Sequence, residues 1–358
     1  MFRTKCRAMS LALLLAAGSA QIAFSEEHSI KIDLTKSRVT SSTVSASGFH
    51  IKLAATDVVR SSHINRNQGT TAGPRQAATH SAQAGRAVPS VPPPGFYPAD
   101  LTYLGGATLS DMESNNVYVN KESCGSVRNC WGDPSRFLRD LNESNFIRLT
   151  DQYTGTRGSY GVGDSASINV TPTTSAFGTD EITQDQIVAI VYSAASQIGT
   201  GYGHEYHVFL PAGTDTCFPG DQVCYSPDNP ATFFFCAYHG YVDFADIGHV
   251  LISVEPYQNV TGCQALPPTP NGETADSTYS VLSHELIESI TDPDAGDGWI
   301  AINSLAVLGD EIGDLCEPVG LQCLTNPYFC DSHITLNEHR YEIQLEYSNK
   351  YHACAPGP

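Results

Sequence analysis

The chain has 358 residues, and its 38 acidic against 19 basic side chains give a formal net charge of −19. The charge is uneven, since residues 26–98 carry a formal +4 and residues 99–358 a formal −26. The acidic part of the chain repels phosphate backbones and anionic lipid surfaces. This excludes nucleic acid and membranes as partners. Cation binding, or solubility outside the cell, can account for the charge.

Residues 1–25 have the pattern of a secretory signal peptide. Three basic residues precede an apolar run from Leu11 to Ala17, and cleavage can follow Ala20 or Ser25. The run is shorter than the roughly 20 residues that span a bilayer. We therefore expect a secreted, extracellular protein.

Residues 26–98 form a low-complexity segment, which we interpret as a pro-segment or a linker. Ser, Thr, Ala, Gln and His dominate it, and such a composition buries little apolar surface. Two short apolar patches, Ile30–Leu34 and Phe49–Leu53, can pair with a folded partner. A proline-rich run at residues 88–95 marks the boundary, after which residues 99–358 are long enough for one core.

Two helices are predicted in the first part of this domain. Asp133 can cap a helix that begins at Pro134 and continues to Leu149. Thr183 and Gln186 have the spacing of a capping box, and apolar residues follow them at helical intervals. Short runs of β-branched and aromatic residues predict strands at Tyr206–Leu210, Thr232–Ala237 and Val250–Val254. The order of elements predicts an α+β fold.

Ten cysteines remain once Cys6 leaves with the signal peptide, and an even number in an exported chain predicts disulfides, five at most. The sequence leaves their pairing open. None of the ten belongs to a Cys-x-x-Cys pair, so a cysteine-ligated zinc site is not expected.

A third helix is predicted from Asp276 to Ile290, because apolar residues recur on one stripe. Asp276 or Ser277 can cap its start, and Asp292-Pro293 ends it, since the residue before proline is pushed out of the helical region. This helix carries the sequence His284-Glu285-Leu286-Ile287-Glu288, which contains the main candidates for a functional site.

His284 and Glu288 are four residues apart, so they project from one helix face and can share a divalent cation. Glu285 would lie beside that cation, where a carboxylate can take a proton from water. This is the layout of His-Glu-x-x-His metallopeptidases, with Glu288 in place of the second histidine. We expect zinc, with calcium or manganese as alternatives because the replacement adds negative charge. A solvated polar helix face remains the alternative interpretation.

A second acidic segment, residues 310–317, begins 22 residues after Glu288. Glu311 and Asp314 are three apart and would share a face if the segment were helical. One could ligate the cation while the other orients His284. An acidic surface turn is the alternative interpretation.

His239 is a further candidate, because it follows a predicted strand and could stabilise an oxyanion or help to bind substrate. The pattern His204-Glu205-Tyr206-His207 is weaker, since strand alternation places Glu205 and His207 on one face and His204 on the other. We interpret it as ordinary core or surface structure. Residues 292–298 space three carboxylates around glycine, which favours a turn over a calcium loop.

These motifs, in order, are similar to the secreted phosphate-induced/exordium-like family. The similarity rests on Cys236-Ala237-Tyr238-His239-Gly240, Ser283 to Glu288 with Thr291-Asp292-Pro293, and Glu311 to Glu317. It covers roughly residues 185–354. The resemblance implies an extracellular or wall-associated protein and the association of the two acidic motifs. It does not imply proteolysis.

Two functions follow as hypotheses on a zincin-like α+β scaffold, with a mixed sheet packed on the site helix and a disulfide-rich C-terminal part. In the first, His284, Glu288 and Glu311 or Asp314 hold a cation, and Glu285, with His239, performs metal-dependent hydrolysis of peptides or proteins. In the second, the protein keeps the scaffold without catalysis and binds a cell-wall glycan or a protein partner. Retention of Glu285 favours the first, and Glu288 in place of histidine favours the second.

Overall fold

The computed structural model describes residues 29–32, 97, 99–265, 267–302, 311–316 and 332–358. The predicted signal peptide, most of the segment 26–98, Asp310, Glu317, Cys323 and Cys330 lie outside the described residues.

The fold is mixed α+β and contains several sheets. The α-helices are α1 Val127–Trp131, α2 Pro134–Asn142, α3 Asp151–Thr154, α4 Gln184–Ile198 and α5 Glu273–Thr291. Within the described ranges, short 3-10 helices span Lys121–Cys124, Ile147–Thr150 and Asp314–Cys316. The strands are β1 Ser29–Ile32, β2 Thr102–Tyr103, β3 Asp111–Val119, β4 Ser159–Ile168, β5 Thr173–Thr174, β6 Asp180–Glu181, β7 His204–Phe209, β8 Thr214–Cys217, β9 Cys224–Tyr225, β10 Tyr238–Phe244, β11 Gly248–Glu255, β12 Trp299–Ile300, β13 Ser332–Leu336, β14 His339–Ile343, β15 Glu346–Ser348 and β16 Ala353–Ala355.

A six-stranded sheet forms the centre of the fold, in the order β1-β4-β3-β7-β11-β10. Its strands pair in parallel except for β10, which runs antiparallel to β11 at one edge. The other edge is β1, whose residues Ser29–Ile32 pair with Ser165–Ile168. The apolar patch predicted at Ile30–Leu34 thus contributes a strand to the folded body.

Helices cover both faces of this sheet. On one face α4 packs on β4, β7 and β11 through an apolar cluster that includes Ile187, Val191, Val208 and Ile252. On the other face α2 and α5 share a second cluster with the aromatic side chains of the sheet. Strand β14 contacts α5 as well, so α5 is enclosed between the sheet and the C-terminal hairpin. This enclosure explains why its polar residues are buried.

Several predicted elements are confirmed. Asp133 caps α2, since its side chain accepts from the Arg136 N–H, and Thr183 with Gln186 makes a full capping box on α4. The strand predictions at Tyr206–Leu210 and Val250–Val254 agree with β7 and β11 to within a few residues.

Three predicted boundaries are wrong. The first helix ends at Asn142 rather than Leu149, and a separate 3-10 turn covers the last predicted residues. Residues 232–237 form no strand, and the pairing begins at Tyr238 instead. Helix α5 begins at Glu273 after Gly272, so neither Asp276 nor Ser277 caps it. The Asp276 carboxylate instead accepts from the Asn271 N–H, which draws it into the interior.

Four disulfides join eight of the described cysteines, namely Cys124–Cys130, Cys217–Cys224, Cys236–Cys263 and Cys316–Cys354. The prediction of a disulfide framework is confirmed for these eight. Such bonds persist in oxidising compartments, which is consistent with an extracellular location. Across the residues that the structure describes, no helix is both long enough and apolar enough to cross a membrane.

Candidate metal centre

Helix α5 positions the central part of the site. It ends where the Asp292 N–H donates to the carbonyl oxygen of Glu288 at 2.7 Å, and Pro293 follows, as the sequence predicts. Apolar residues such as Leu282 and Leu286 anchor the helix in the core. The helix therefore holds His284, Glu285 and Glu288 in the interior, and each of these side chains is buried.

His284, Glu288 and Asp314 form one group that could hold a metal ion. Nε2 of His284 lies 3.1 Å from Oε1 of Glu288 and 4.0 Å from Oδ1 of Asp314. Asp314 begins a 3-10 helix rather than an α-helix, and its Oδ2 accepts from the Glu311 N–H at 3.1 Å. The structure thus places Asp314, rather than Glu311, beside His284.

His239, Glu288 and Glu311 form a second such group, also buried. Nδ1 of His239 lies 3.5 Å from Oε2 of Glu288, and its Nε2 lies 3.6 Å from Oε1 of Glu311. The sequence suggested that His239 contacts substrate. The structure places it among potential metal ligands, on the antiparallel edge strand β10 that faces α5.

Glu285 lies beside the same histidine, His239. Its Oε2 is 3.4 Å from Nδ1 of His239, and only 1% of the residue is exposed. A carboxylate here can take a proton from a water held between His239 and Glu288, or can itself orient the imidazole. All six residues predicted for the site, His239, His284, Glu285, Glu288, Glu311 and Asp314, are therefore brought into one buried cluster.

Both histidines are also held by carbonyl oxygens on the side away from Glu288. Nε2 of His239 lies 3.3 Å from the Asp292 carbonyl oxygen, and Nδ1 of His284 lies 3.3 Å from Oε1 of Gln344. Such contacts are typical of metal-binding histidines, because the carbonyl fixes which ring nitrogen carries the proton. The Gln344 amide in turn donates to the Gly313 carbonyl at 2.6 Å, which ties the two segments together.

Gly313 allows the acidic segment to approach α5 closely. A Cβ atom at this position would lie 2.5 Å from Nδ1 of His284 and 2.9 Å from Oε1 of Glu288. Its N–H donates to Oε1 of Glu288 at 3.1 Å, as does the Asp314 N–H at 3.2 Å. Glycine is required at this position because a side chain would need space that His284 and Glu288 already fill.

The loop after α5 is a turn, as predicted. Oxygens of the Asp292 carboxylate accept backbone N–H groups from Gly296, Asp297 and Gly298 at 2.7, 3.3 and 2.9 Å. This carboxylate therefore fixes the loop, and with it the Asp292 carbonyl that faces His239.

A second polar layer lies on β7 and β11 beneath α5. Oε1 of Glu205 accepts from the Ser289 hydroxyl at 2.7 Å, and Nδ1 of His207 lies 2.7 Å from the Ser253 hydroxyl. Burial raises the pKa of Glu205 to about 7, although the Ser289 hydrogen bond opposes the rise. Burial likewise lowers the pKa of His207 to about 3, so this imidazole is neutral. The face shared by Glu205 and His207 is confirmed, and it is part of the core.

A third acidic group, Glu181, Cys217 and Asp221, has ligand atoms at similar spacing. The sulfur of Cys217 is bonded to Cys224, so it offers no thiolate. Two carboxylates remain, and they do not make a comparable site.

Sequence reasoning missed Gln344, Gly313 and the Asp292 carbonyl. Gly313 stands between Glu311 and Asp314, and a glycine inside an acidic motif is a signal of close backbone approach. Gln344 had no such signal, since it lies 60 residues from His284 on an ordinary polar position.

Comparison of the chain with protein-family models, curated proteins and solved structures finds no match in any of the three.

Proposed function

We propose that this protein is a secreted, zincin-like hydrolase that depends on a divalent cation and acts on peptides or proteins. The cation would be held by His284, Glu288 and Asp314, with zinc the first choice and calcium or manganese as alternatives. When bound, such an ion acts as a Lewis acid that makes water more acidic and polarises a carbonyl group.

The observation that carries this proposal is the position of Glu285. Its carboxylate points into the cluster, 3.4 Å from His239, and does not reach toward solvent. Burying a carboxylate beside Glu288 is unfavourable unless a positive charge compensates. A structural cation would need its ligands, but it would not need an additional carboxylate beside them. Glu285 is suited to accept a proton from water and return it to the leaving amine.

The C-terminal cysteine framework supports the same proposal. The Cys316–Cys354 disulfide fixes the end of the 3-10 helix that begins at Asp314. The basic, low-complexity segment 26–98 could shield the acidic body before its removal, as an inhibitory pro-segment does, and β1 gives that segment a point of attachment to the sheet.

A second candidate function is non-catalytic. Glu288 and His239 are both completely buried, which suits a structural cation that stabilises a protein binding wall glycans or an extracellular partner. In that case Glu285 would serve only to orient His239.

The test compares the wild-type protein with Glu285→Gln and His284→Ala. The control is Glu273→Gln, which removes an exposed carboxylate from the first turn of the same helix. Metal content is measured by elemental analysis and cleavage with an unbiased peptide library. The hydrolase predicts that Glu285→Gln keeps its metal and loses cleavage, while Glu273→Gln keeps both. Wild-type metal content in every protein except His284→Ala, where it is reduced, with no cleavage by any, would establish the non-catalytic function.

A further inference from the structure

We infer that the cluster holds two divalent cations rather than one, bridged by the carboxylate of Glu288. One cation would be bound by His284, Glu288 and Asp314, and the other by His239, Glu288 and Glu311. The inference deepens the proposed function and rests on it for the first of these cations, while the second cation is new.

The orientation of Glu288 is the first support. Its Oε1 faces Nε2 of His284 at 3.1 Å, whereas its Oε2 faces Nδ1 of His239 at 3.5 Å. Oε2 is fully buried and accepts no hydrogen bond from any residue that the structure describes. The N–H groups of Gly313 and Asp314 hold the other oxygen, so the carboxylate plane is fixed with its two oxygens directed at different histidines.

The distances are the second support. Ligand atoms about 2.1 Å from a common tetrahedral ion lie roughly 3.4 Å apart. The separation of 3.5 Å between Nδ1 of His239 and Oε2 of Glu288 matches this spacing and is long for a hydrogen bond. Potential ligand atoms of His239, Glu288 and Glu311 all lie within 4.8 Å of one another. Among the described residues, no potential metal-binding group contains both histidines. The two imidazoles therefore belong to separate potential metal-binding groups, and these groups share Glu288.

The proton positions on the two imidazoles are the third support. The Asp292 carbonyl lies beside Nε2 of His239, and the Gln344 carbonyl lies beside Nδ1 of His284, each at 3.3 Å. A carbonyl oxygen only accepts, so in each ring the opposite nitrogen presents its lone pair to Glu288. Lone pairs and carboxylate oxygens that face each other repel, and a cation between them removes the repulsion.

Charge balance is the fourth support. Glu285, Glu288, Glu311 and Asp314 bring four carboxylates into one buried cluster. One divalent cation compensates half of their charge, whereas two compensate all of it, and buried charges persist only when they are compensated. Paired ions about 3.5–4 Å apart with a shared carboxylate are an established arrangement for activating water between them.

The test uses the full protein, stripped with chelator and titrated with Mn²⁺ alone and with Zn²⁺ alone. Isothermal titration and elemental analysis should give two ions per chain. Electron paramagnetic resonance of the Mn²⁺ protein should show a spin-coupled pair, a measurement that needs no variant. His239→Gln and His284→Gln should each bind one ion and show uncoupled Mn²⁺ instead. The control is His333→Gln, whose exposed histidine pairs with Glu342 and belongs to neither of the two metal-binding groups, and it should behave as wild type.

One ion per chain at saturation, or two ions without coupling, would overturn the inference. Its failure is distinguishable from that of the proposed function, because cleavage is scored separately. One ion with cleavage that requires Glu285 would leave the hydrolase intact, and two coupled ions without cleavage would leave only the paired site.

Discussion

Nδ1 of His239 and Oε2 of Glu288 lie 3.5 Å apart although one residue belongs to the edge strand β10 and the other to α5. Both side chains are 0% exposed, so neither can satisfy its polar atoms with bulk water. The contact shows that the cluster depends on the packing of α5 against the sheet. Binding of a cation to the cluster should therefore be linked to the stability of the fold.

Removal of metal should destabilise the protein. Without a cation the buried carboxylates around Glu288 repel one another, and a ligand present at 100–1,000 times its Kd stabilises a fold by about 3–4 kcal/mol. For a domain of this size we expect Tm to fall by roughly 6–15 °C in EDTA and to recover when Zn²⁺ or Mn²⁺ is restored. Calorimetry checks the shift.

The controls for this prediction are two variants on α5. Glu288→Gln should have a Tm that no longer responds to EDTA, whereas the exposed Glu273→Gln should respond as the wild type does. An equal EDTA response in Glu288→Gln would mean that the stabilising ion binds elsewhere.

Gly313→Ala should disrupt the site without unfolding the protein. The added methyl group would lie 2.5 Å from Nδ1 of His284 and 2.9 Å from Oε1 of Glu288, so the acidic segment must move away from α5. Overpacking of this kind costs about 1–3 kcal/mol, which should weaken metal binding roughly ten- to a hundredfold. Titration with Zn²⁺ measures the affinity.

Gly203→Ala is the matched control, because a Cβ atom there would meet nothing within 4 Å. It should bind metal as the wild type does. If both variants bind equally well, the close approach of Gly313 does not define the site.

Local sequence patterns were sufficient to predict α5 and the placing of His284 and Glu288 on it. They carry information over one or two helical turns, and the stop at Asp292-Pro293 is equally local. The partnership of His239 with Glu288 was not predictable, because it depends on the register of β10 against β11 and on the crossing of α5 over that edge. The prediction of a strand at residues 232–237 is wrong for a related reason. Its apolar residues form a loop that packs on the sheet face covered by α4. Gln344 reaches His284 only through the C-terminal hairpin.

Loss of the Cys316–Cys354 disulfide should impair metal binding more than loss of Cys124–Cys130. The first bond closes 38 residues and holds the 3-10 helix of Asp314, while the second closes 6 residues near α1. The chain-entropy relation gives about 4 kcal/mol for the longer loop and about 2 kcal/mol for the shorter one. We expect Cys316→Ala/Cys354→Ala to lower both Tm and Zn²⁺ affinity, and Cys124→Ala/Cys130→Ala to lower Tm alone. Equal affinities in the two double variants would show that the disulfide does not position Asp314.

Glu205 should make the stability of the metal-free protein fall as pH rises from about 4.5 to about 7. Burial raises its pKa from 4.5 to about 7, so in this range the folded protein holds a proton that the unfolded chain has released. Because one pKa unit corresponds to about 1.4 kcal/mol, the loss of stability should approach about 3 kcal/mol above pH 7.

Glu205→Gln keeps an acceptor for the Ser289 hydroxyl and removes the titration. Urea unfolding between pH 4 and pH 8, in EDTA, should therefore show Glu205→Gln gaining stability over the wild type as pH rises. Glu113→Gln, which alters an exposed carboxylate on the neighbouring strand β3, should follow the wild-type curve. A constant difference between Glu205→Gln and the wild type across this range would show that Glu205 is ionised in the folded protein throughout.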